Sequence, residues 1–371
     1  MQTIMTKVRP LIGWLTVACF LIFGKLWMAS LDHHAMAFGL FIWLFLVIIY
    51  VAFGVVHEAE TLADMLGEPL GTLVLTLSIV VIEVVLISAV MLGSEGNATL
   101  ARDTMYSVLM IVLNGVVGLG LLMGGIRHYE QSYNLKGASA YLSVIIPLTS
   151  IALVLPDFTT STADGSLSPI QALMFSLLTI GLYGIFLWLQ TGRHRGYFVA
   201  PDAQPIDAKE MAHKRPSAVD KKGLIVHFAL LLLNILPIVI LSKSLAGILD
   251  YGIAATGAPA ALGGIVIATL VFAPEGISAL IAIRADRLTR AVNLCLGAVT
   301  STLGLTVPAV LAISLYTGKP VLLGLPSSGI VLLVSTLILS SITFSNSRTT
   351  MLEGAVHLSL FVVFLVLVFS P

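Results

Sequence analysis

Two glutamates stand where glutamates are expensive. Glu83 lies in VLTLSIVVIEVVLISAVML and Glu275 in GGIVIATLVFAPEGISALIAI. Both runs are apolar and long enough to cross a bilayer, which takes about 20 residues. A carboxylate at that depth costs about 2.5–3.5 kcal/mol on the insertion scale. The charged form is disfavoured in low-dielectric surroundings, so a cation and a proton compete for the same oxygens. A pair of such carboxylates suits alternate binding of a cation and of protons. The plainer reading of each acid is a permanently protonated Glu hydrogen-bonded to a neighbouring helix. The pairing weighs towards the first reading: Glu83 comes 47 residues after the start of the first half at 36, and Glu275 51 after the start of the second at 224.

A calcium ion takes 6–8 oxygens, and two carboxylates supply at most four. Backbone carbonyls must add several. Pro274, directly before Glu275, removes one helix hydrogen bond and frees a carbonyl about one turn earlier. Irregular backbone at membrane depth belongs where it lines a cavity or is buried in protein. A packing kink is the equal alternative for Pro274.

Other polar residues invite weaker readings. Glu58, Glu60, Asp64 and Glu68 form an acidic cluster that either draws cations to an entrance or is a solvated face, and the solvated face is favoured. Glu353 and His357 stand one turn apart, spaced for a proton relay, although Glu353 also suits a helix N-cap. His227 reads as a hydrogen-bonded interface residue rather than a sensor. His57-Glu58 begins an HExxH pattern, but Thr61 occupies the place of the second His. Gly120 and Gly124 fit a GxxxG packing motif. No phosphate-binding loop occurs, which argues against direct ATP drive, and Cys19 and Cys295 lie too far apart in sequence for a CxxC metal site.

The elements that must carry these residues follow from composition. Of 371 residues, 58% are apolar and 38 are charged, 19 of each sign. A soluble chain of this length carries roughly 90 charges. The deficit excludes a soluble enzyme, a nucleic-acid binder and a disordered chain. An all-α membrane protein remains, with eleven expected transmembrane helices at 11–29, 36–56, 70–92, 105–125, 139–155, 169–190, 224–242, 259–282, 291–315, 321–343 and 353–370. The first run reads as a span rather than a cleaved leader. With the N-terminus in the cytoplasm and the C-terminus outside, fifteen of the nineteen basic residues fall on inside segments, as the positive-inside rule requires.

The organisation expected is an N-terminal tail and extra helix (1–35), a five-helix repeat (36–190), a cytoplasmic polar linker (191–223) and a second five-helix repeat (224–371). Five is odd, so the second repeat enters the membrane inverted. Inverted repeats characterise secondary transporters, whose sites lie near the midplane between the repeats.

Longer segments carry a resemblance. HEAETLADMLGEPLGTLVLTLSIVVIEVVLIS (57–88), RDTMYSVLMIVLNGVVGLGLLMGG (102–125) and the stretch 258–310 around Glu275 resemble the paired repeats of the calcium/cation antiporter superfamily. The likeness is to its ChaA-type calcium/proton and sodium or potassium/proton antiporters, related to the CAX exchangers. GGIRHYEQSYNLKGASAYL (124–142) and SNSRTTMLEGAVHLSLF (345–361) extend it over about 36–370.

The resemblance implies ten core helices in two inverted repeats, with Glu83 and Glu275 as the cation- and proton-binding acids. It also implies supporting polar groups on the next helix of each repeat: Asn114 in the first, and Ser301 with Thr302 and Thr306 in the second. Plain helix–helix hydrogen bonding is the alternative for these four. Calcium exchangers of the CAX type carry Gly-Asn ahead of the acid; here the places hold Ile79-Val80 and Val271-Phe272. That makes a drier site with fewer oxygens and leaves room for Na⁺ or K⁺ beside Ca²⁺. The expectation is a non-enzymatic, inner-membrane antiporter with no resident cofactor, exporting Ca²⁺, Na⁺ or K⁺ against protons. A passive cation channel is the alternative, weakened by the lack of a filter-like run.

Overall fold

A computed structural model describes residues 2–67, 70–91, 98–162, 165–201 and 221–370. Most of the expected linker lies outside the described residues, as does Glu68. The helices are α1 (Gln2–Ala29), α2 (His34–Leu66), α3 (Leu70–Met91), α4 (Leu100–Leu109), α5 (Val117–His128), α6 (Leu135–Thr149), α7 (Leu155–Phe158), α8 (Pro169–Thr191), α9 (Lys221–Thr256), α10 (Ala261–Arg284), α11 (Leu288–Ser301), α12 (Val307–Thr317), α13 (Ser327–Thr343) and α14 (Met351–Phe369). Three π-helical turns join neighbours end to end: Met110–Val116, Ser150–Val154 and Thr302–Thr306. Counting continuous helical stretches, nine among the described residues are long and apolar enough to cross a membrane. Two shorter apolar helices, Leu73–Ala89 and Ser327–Thr343, fall at the third and tenth expected spans.

Helix boundaries depart from the hydropathy reading where polar residues continue a helix. The run expected at 224–242 extends from Lys221 to Thr256, through Lys243 and Asp250. The one expected at 36–56 continues to Leu66. By contrast, residues 321–326 are not helical, and Pro326 caps α13. Pro320 and Pro326 bracket that stretch, and the residue before a proline is disfavoured in the α region. Elsewhere the starts are encoded locally. Ser168 and Gln171 close a capping box with Pro169 next to the cap, and Thr350 and Glu353 close another at α14, each satisfying two otherwise orphaned donors.

The chain gathers into two compact units, each drawing on both halves of the sequence. The first comprises residues 1–100 and 216–274. In it α9 packs along α1, α2 and α3. Arg9 of α1 donates to the Phe53 carbonyl (3.2 Å) and lies over the Tyr50 ring, while the Trp14 indole donates to the Leu233 carbonyl (3.1 Å). The acidic cluster expected as a solvated face does not stay together. Asp64 is exposed, but Glu58 is 1% exposed. It turns into the α2–α9 interface because His227 stands opposite it at 2.7 Å, a partner in the role expected for that histidine.

The second unit comprises residues 101–215 and 275–371. Here glycines set the helix spacing. A Cβ on Gly118 would meet the Leu358 amide at 2.9 Å, and one on Gly354 would meet the Gly118 carbonyl at 2.7 Å. So α5 and α14 touch backbone to backbone, which only small residues permit. Gly120 and Gly124, the expected packing motif, face Ile283 on the last turns of α10. A two-stranded ladder, β1 (Gln131–Ser132) with β2 (Arg348–Thr349), links the connections before α6 and α14. Gln131 also donates to the Ile283 carbonyl (3.0 Å) and the Asp286 carboxylate (2.8 Å), tying down the α10–α11 corner. Both strands lie in segments that carried the resemblance.

Candidate functional site

Helical periodicity decides where each acid points. In α3, Leu77 and Val81 face outward at 49% and 42% exposure, whereas Ile82, Glu83, Leu86 and Ile87 are buried. Glu83 is fully buried, inside the first unit. In α10 the outward line is Ile277 and Ile281, and the buried line is Glu275, Ala279 and Ala282. Glu275 is 5% exposed and opens the second unit's share of that helix.

Pro274 sits inside a helix that runs unbroken from Ala261 to Arg284. It has no N–H to offer the Leu270 carbonyl four residues earlier. The larger backbone irregularities lie elsewhere, in the π-helical turns. Two of these follow from proline: Pro156 cannot donate to the Ala152 carbonyl nor Pro308 to that of Gly304, and the turns Ser150–Val154 and Thr302–Thr306 contain those carbonyls. A π-helical turn inserts one extra residue and is frequent at functional sites. Gly304 further admits Tyr183 of α8, whose Cβ would lie 2.7 Å from an added methyl.

Both helices expected to carry supporting polar groups pass through such turns. Asn114 is completely buried in Met110–Val116, which packs against α11 and α14. Ser301 closes α11, and Thr302 and Thr306 bound the next π-helical turn; all three are buried. Ser301 donates back to the Ala298 carbonyl at 2.9 Å. Asn114, Ser301, Thr302, Thr306 and Glu275 therefore belong to the second unit, while Glu83 belongs to the first and Pro274 ends it.

Asn114 has partners that its sequence neighbourhood did not announce. Its amide nitrogen donates to the Thr336 hydroxyl (2.8 Å) and towards the Met110 sulfur (3.5 Å). Its oxygen lies 3.0 Å from Nδ1 of His357, and Nε2 of the same ring lies 3.0 Å from the Thr343 hydroxyl. His357, Thr336 and Asn114 are completely buried and Thr343 is 3% exposed. The relay spacing of Glu353 and His357 is thus not used as a direct contact. Glu353 accepts the Thr350 amide (2.9 Å) as a cap, and His357 turns to Asn114. A histidine in α14, whose other polar side chains are Glu353 and Ser359, was the available signal. Among the described residues no group of three or more His, Cys, Asp or Glu gathers as a resident metal site.

Nine helices among the described residues are long and apolar enough to cross a bilayer, the mark of a multi-pass membrane protein. The chain matches the sodium/calcium exchanger protein family over residues 36–192 and 226–370, and it belongs to that family. It is 39% identical to the sodium-potassium/proton antiporter ChaA of Escherichia coli over 86% of each chain. It is 23% identical to a Ca²⁺/H⁺ antiporter of Synechocystis over 77% of this chain and 79% of the other. The solved structure of native YfkE superposes with a TM-score of 0.68 at 19% identity, covering 97% of this chain and 99% of that one, a likeness of fold.

Proposed function

We propose that this chain is a secondary cation/proton antiporter of the bacterial inner membrane, exporting Na⁺, K⁺ or Ca²⁺ from the cytoplasm while protons enter. The observation that carries the reading is the burial of Glu83 (0% exposed) and Glu275 (5%) on apolar helices. On each carboxyl a cation and protons would compete for the same oxygens. The family and the 39% identical sodium-potassium/proton antiporter support it. Eleven spans arranged as one extra helix and two inverted repeats, with the N-terminus cytoplasmic, supply alternating access by movement of one helix group against another. In this reading Glu83 of the first unit and Glu275 of the second are the cation- and proton-binding acids, and Asn114, Ser301, Thr302 and Thr306 of the second unit are the candidate neutral oxygen ligands. Apolar Val80, Val271 and Phe272 are buried near the acids in sequence, so the site has few oxygens and suits monovalent cations at least as well as Ca²⁺.

Everted vesicles containing the protein test this. Added Na⁺, K⁺ or Ca²⁺ should collapse a preset pH gradient, and Glu83→Gln and Glu275→Gln should each abolish the collapse. Full exchange by either variant sinks the site assignment, and cation flux without proton movement sinks the antiport reading in favour of a channel.

A further inference from the structure

We infer that His357 is a positioning residue that fixes the Asn114 amide with its oxygen, not its nitrogen, available to a cation. The inference rests on the proposed site and adds a residue to it.

The Leu113 carbonyl, which can only accept, is a further hydrogen-bonding neighbour of the His357 ring. The Asn114 oxygen carries no hydrogen, so the 3.0 Å contact places a proton on Nδ1 of His357. In the neutral ring Nε2 is then an acceptor, and the Thr343 hydroxyl at 3.0 Å donates to it. The Thr336 hydroxyl donates to the Leu332 carbonyl (2.9 Å) and so accepts from the Asn114 nitrogen. The second amide hydrogen points to the Met110 sulfur. One lone pair on the Asn114 oxygen is the amide's only capacity without a partner among the described residues.

Flipping the amide would require the ring proton to move to Nε2, the Thr343 hydroxyl to turn from donor to acceptor, and the Thr336 hydroxyl to leave the Leu332 carbonyl. With the ring proton on Nδ1, the flipped NH₂ would face the Nδ1–H, donor against donor, and the amide oxygen would face a hydroxyl that donates to Leu332. A buried donor left without an acceptor costs about 1–3 kcal/mol. In its Nδ1–H form His357 therefore favours the orientation that leaves an oxygen for a hard cation, which takes oxygen ligands. Gly118 permits this close approach of α14, since a methyl there would lie 3.0 Å from the His357 Cβ. Groups that orient a ligand typically change metal affinity 10- to 100-fold.

Transport of Na⁺ and K⁺ by the full-length protein in proteoliposomes tests the assignment. The amide of an asparagine at 357 puts its nitrogen where Nδ1 was, and that of a glutamine puts it where Nε2 was. His357→Leu and His357→Gln should raise the cation KM about tenfold with little change in kcat, and His357→Asn should restore it. Asn114→Ala should raise KM similarly, and adding His357→Leu to it should change nothing further. Equal KM for the Asn, Gln and Leu variants, or independent effects of the 114 and 357 changes, overturns the inference. So does a normal KM for Asn114→Ala; if Glu83→Gln and Glu275→Gln still abolish exchange, the antiporter reading stands while this one falls. If those two glutamine variants transport normally, the antiporter site itself is wrong.

Discussion

Glu58 and His227, 169 residues apart in sequence, meet at 2.7 Å across the α2–α9 interface, the carboxylate 1% exposed and the imidazole side chain 30%. Removing one partner of a fully buried pair costs about 3–5 kcal/mol, because the other is left desolvated. Here the partly exposed imidazole tempers that figure, since water screens such a contact. His227→Ala should lower the melting temperature in detergent, and Glu58→Gln should lower it less, because the amide needs no counter-charge. The double variant should resemble His227→Ala with the Glu58 penalty relieved. A double-mutant cycle on thermal unfolding checks this, and strictly additive losses would mean the contact carries no coupling.

A second prediction concerns the backbone contact between α5 and α14. A Cβ at Gly354 would meet the Gly118 carbonyl at 2.7 Å and the Leu122 amide. Both are backbone atoms, so no side chain can swing aside. Overpacking costs about 1–3 kcal/mol even where side chains give way. Gly354→Leu should therefore strip the protein of its monodisperse size-exclusion peak. Gly181→Leu is the control, because nothing lies within 4 Å of a Cβ there. Equal behaviour of the two variants would refute the close contact.

Apolar runs made the helices legible, because a membrane-crossing segment announces itself in composition. Helix ends were less so, since a helix continues through Lys243 and Asp250 where hydropathy stops. Glu83 and Glu275 stood out because isolated acids are rare and costly in apolar runs. Glu58 misled for the opposite reason: three other acids flank it, and His227 lies far along the chain. The π-helical turns were partly encoded, by Pro156 and Pro308 just after two of them, but no proline follows Met110–Val116 in the helix it leads into. The Asn114–His357 contact joins residues 243 apart, and no local pattern gives such a pair.

Alkaline pH should loosen the loop that leads into α6. Tyr133, 1% exposed, donates its hydroxyl to the Asn346 carbonyl and stacks edge-on against Phe344. Burial, and secondarily the Glu353 charge, push its pKa above the ordinary value. The folded state therefore holds this proton more tightly than the unfolded one. That contribution is complete below the unfolded value of about 10 and is lost as pH rises past it. Melting temperatures from pH 8 to 11.5 should fall more steeply for the native protein than for Tyr133→Phe. Parallel slopes would show that other groups govern the alkaline loss.

The last prediction separates the π-helical turn at Thr302–Thr306 from ordinary packing. Pro308 withholds the N–H that the Gly304 carbonyl would take in a regular helix, and the turn widens there. Pro308→Ala returns that donor. A turn that reverts to α geometry loses its extra residue and swings Ser301 and Thr302 about 100° relative to Thr306. Interior proline costs a helix about 3 kcal/mol, so the variant should melt no lower than the native protein. If the turn aims these hydroxyls at the cation, transport KM should rise on the order of tenfold while stability holds or increases. That opposition is the discriminating outcome, because a merely structural proline gives the reverse: an unchanged KM, with any loss confined to the melting temperature. Paired KM and melting measurements on Pro308→Ala decide between them.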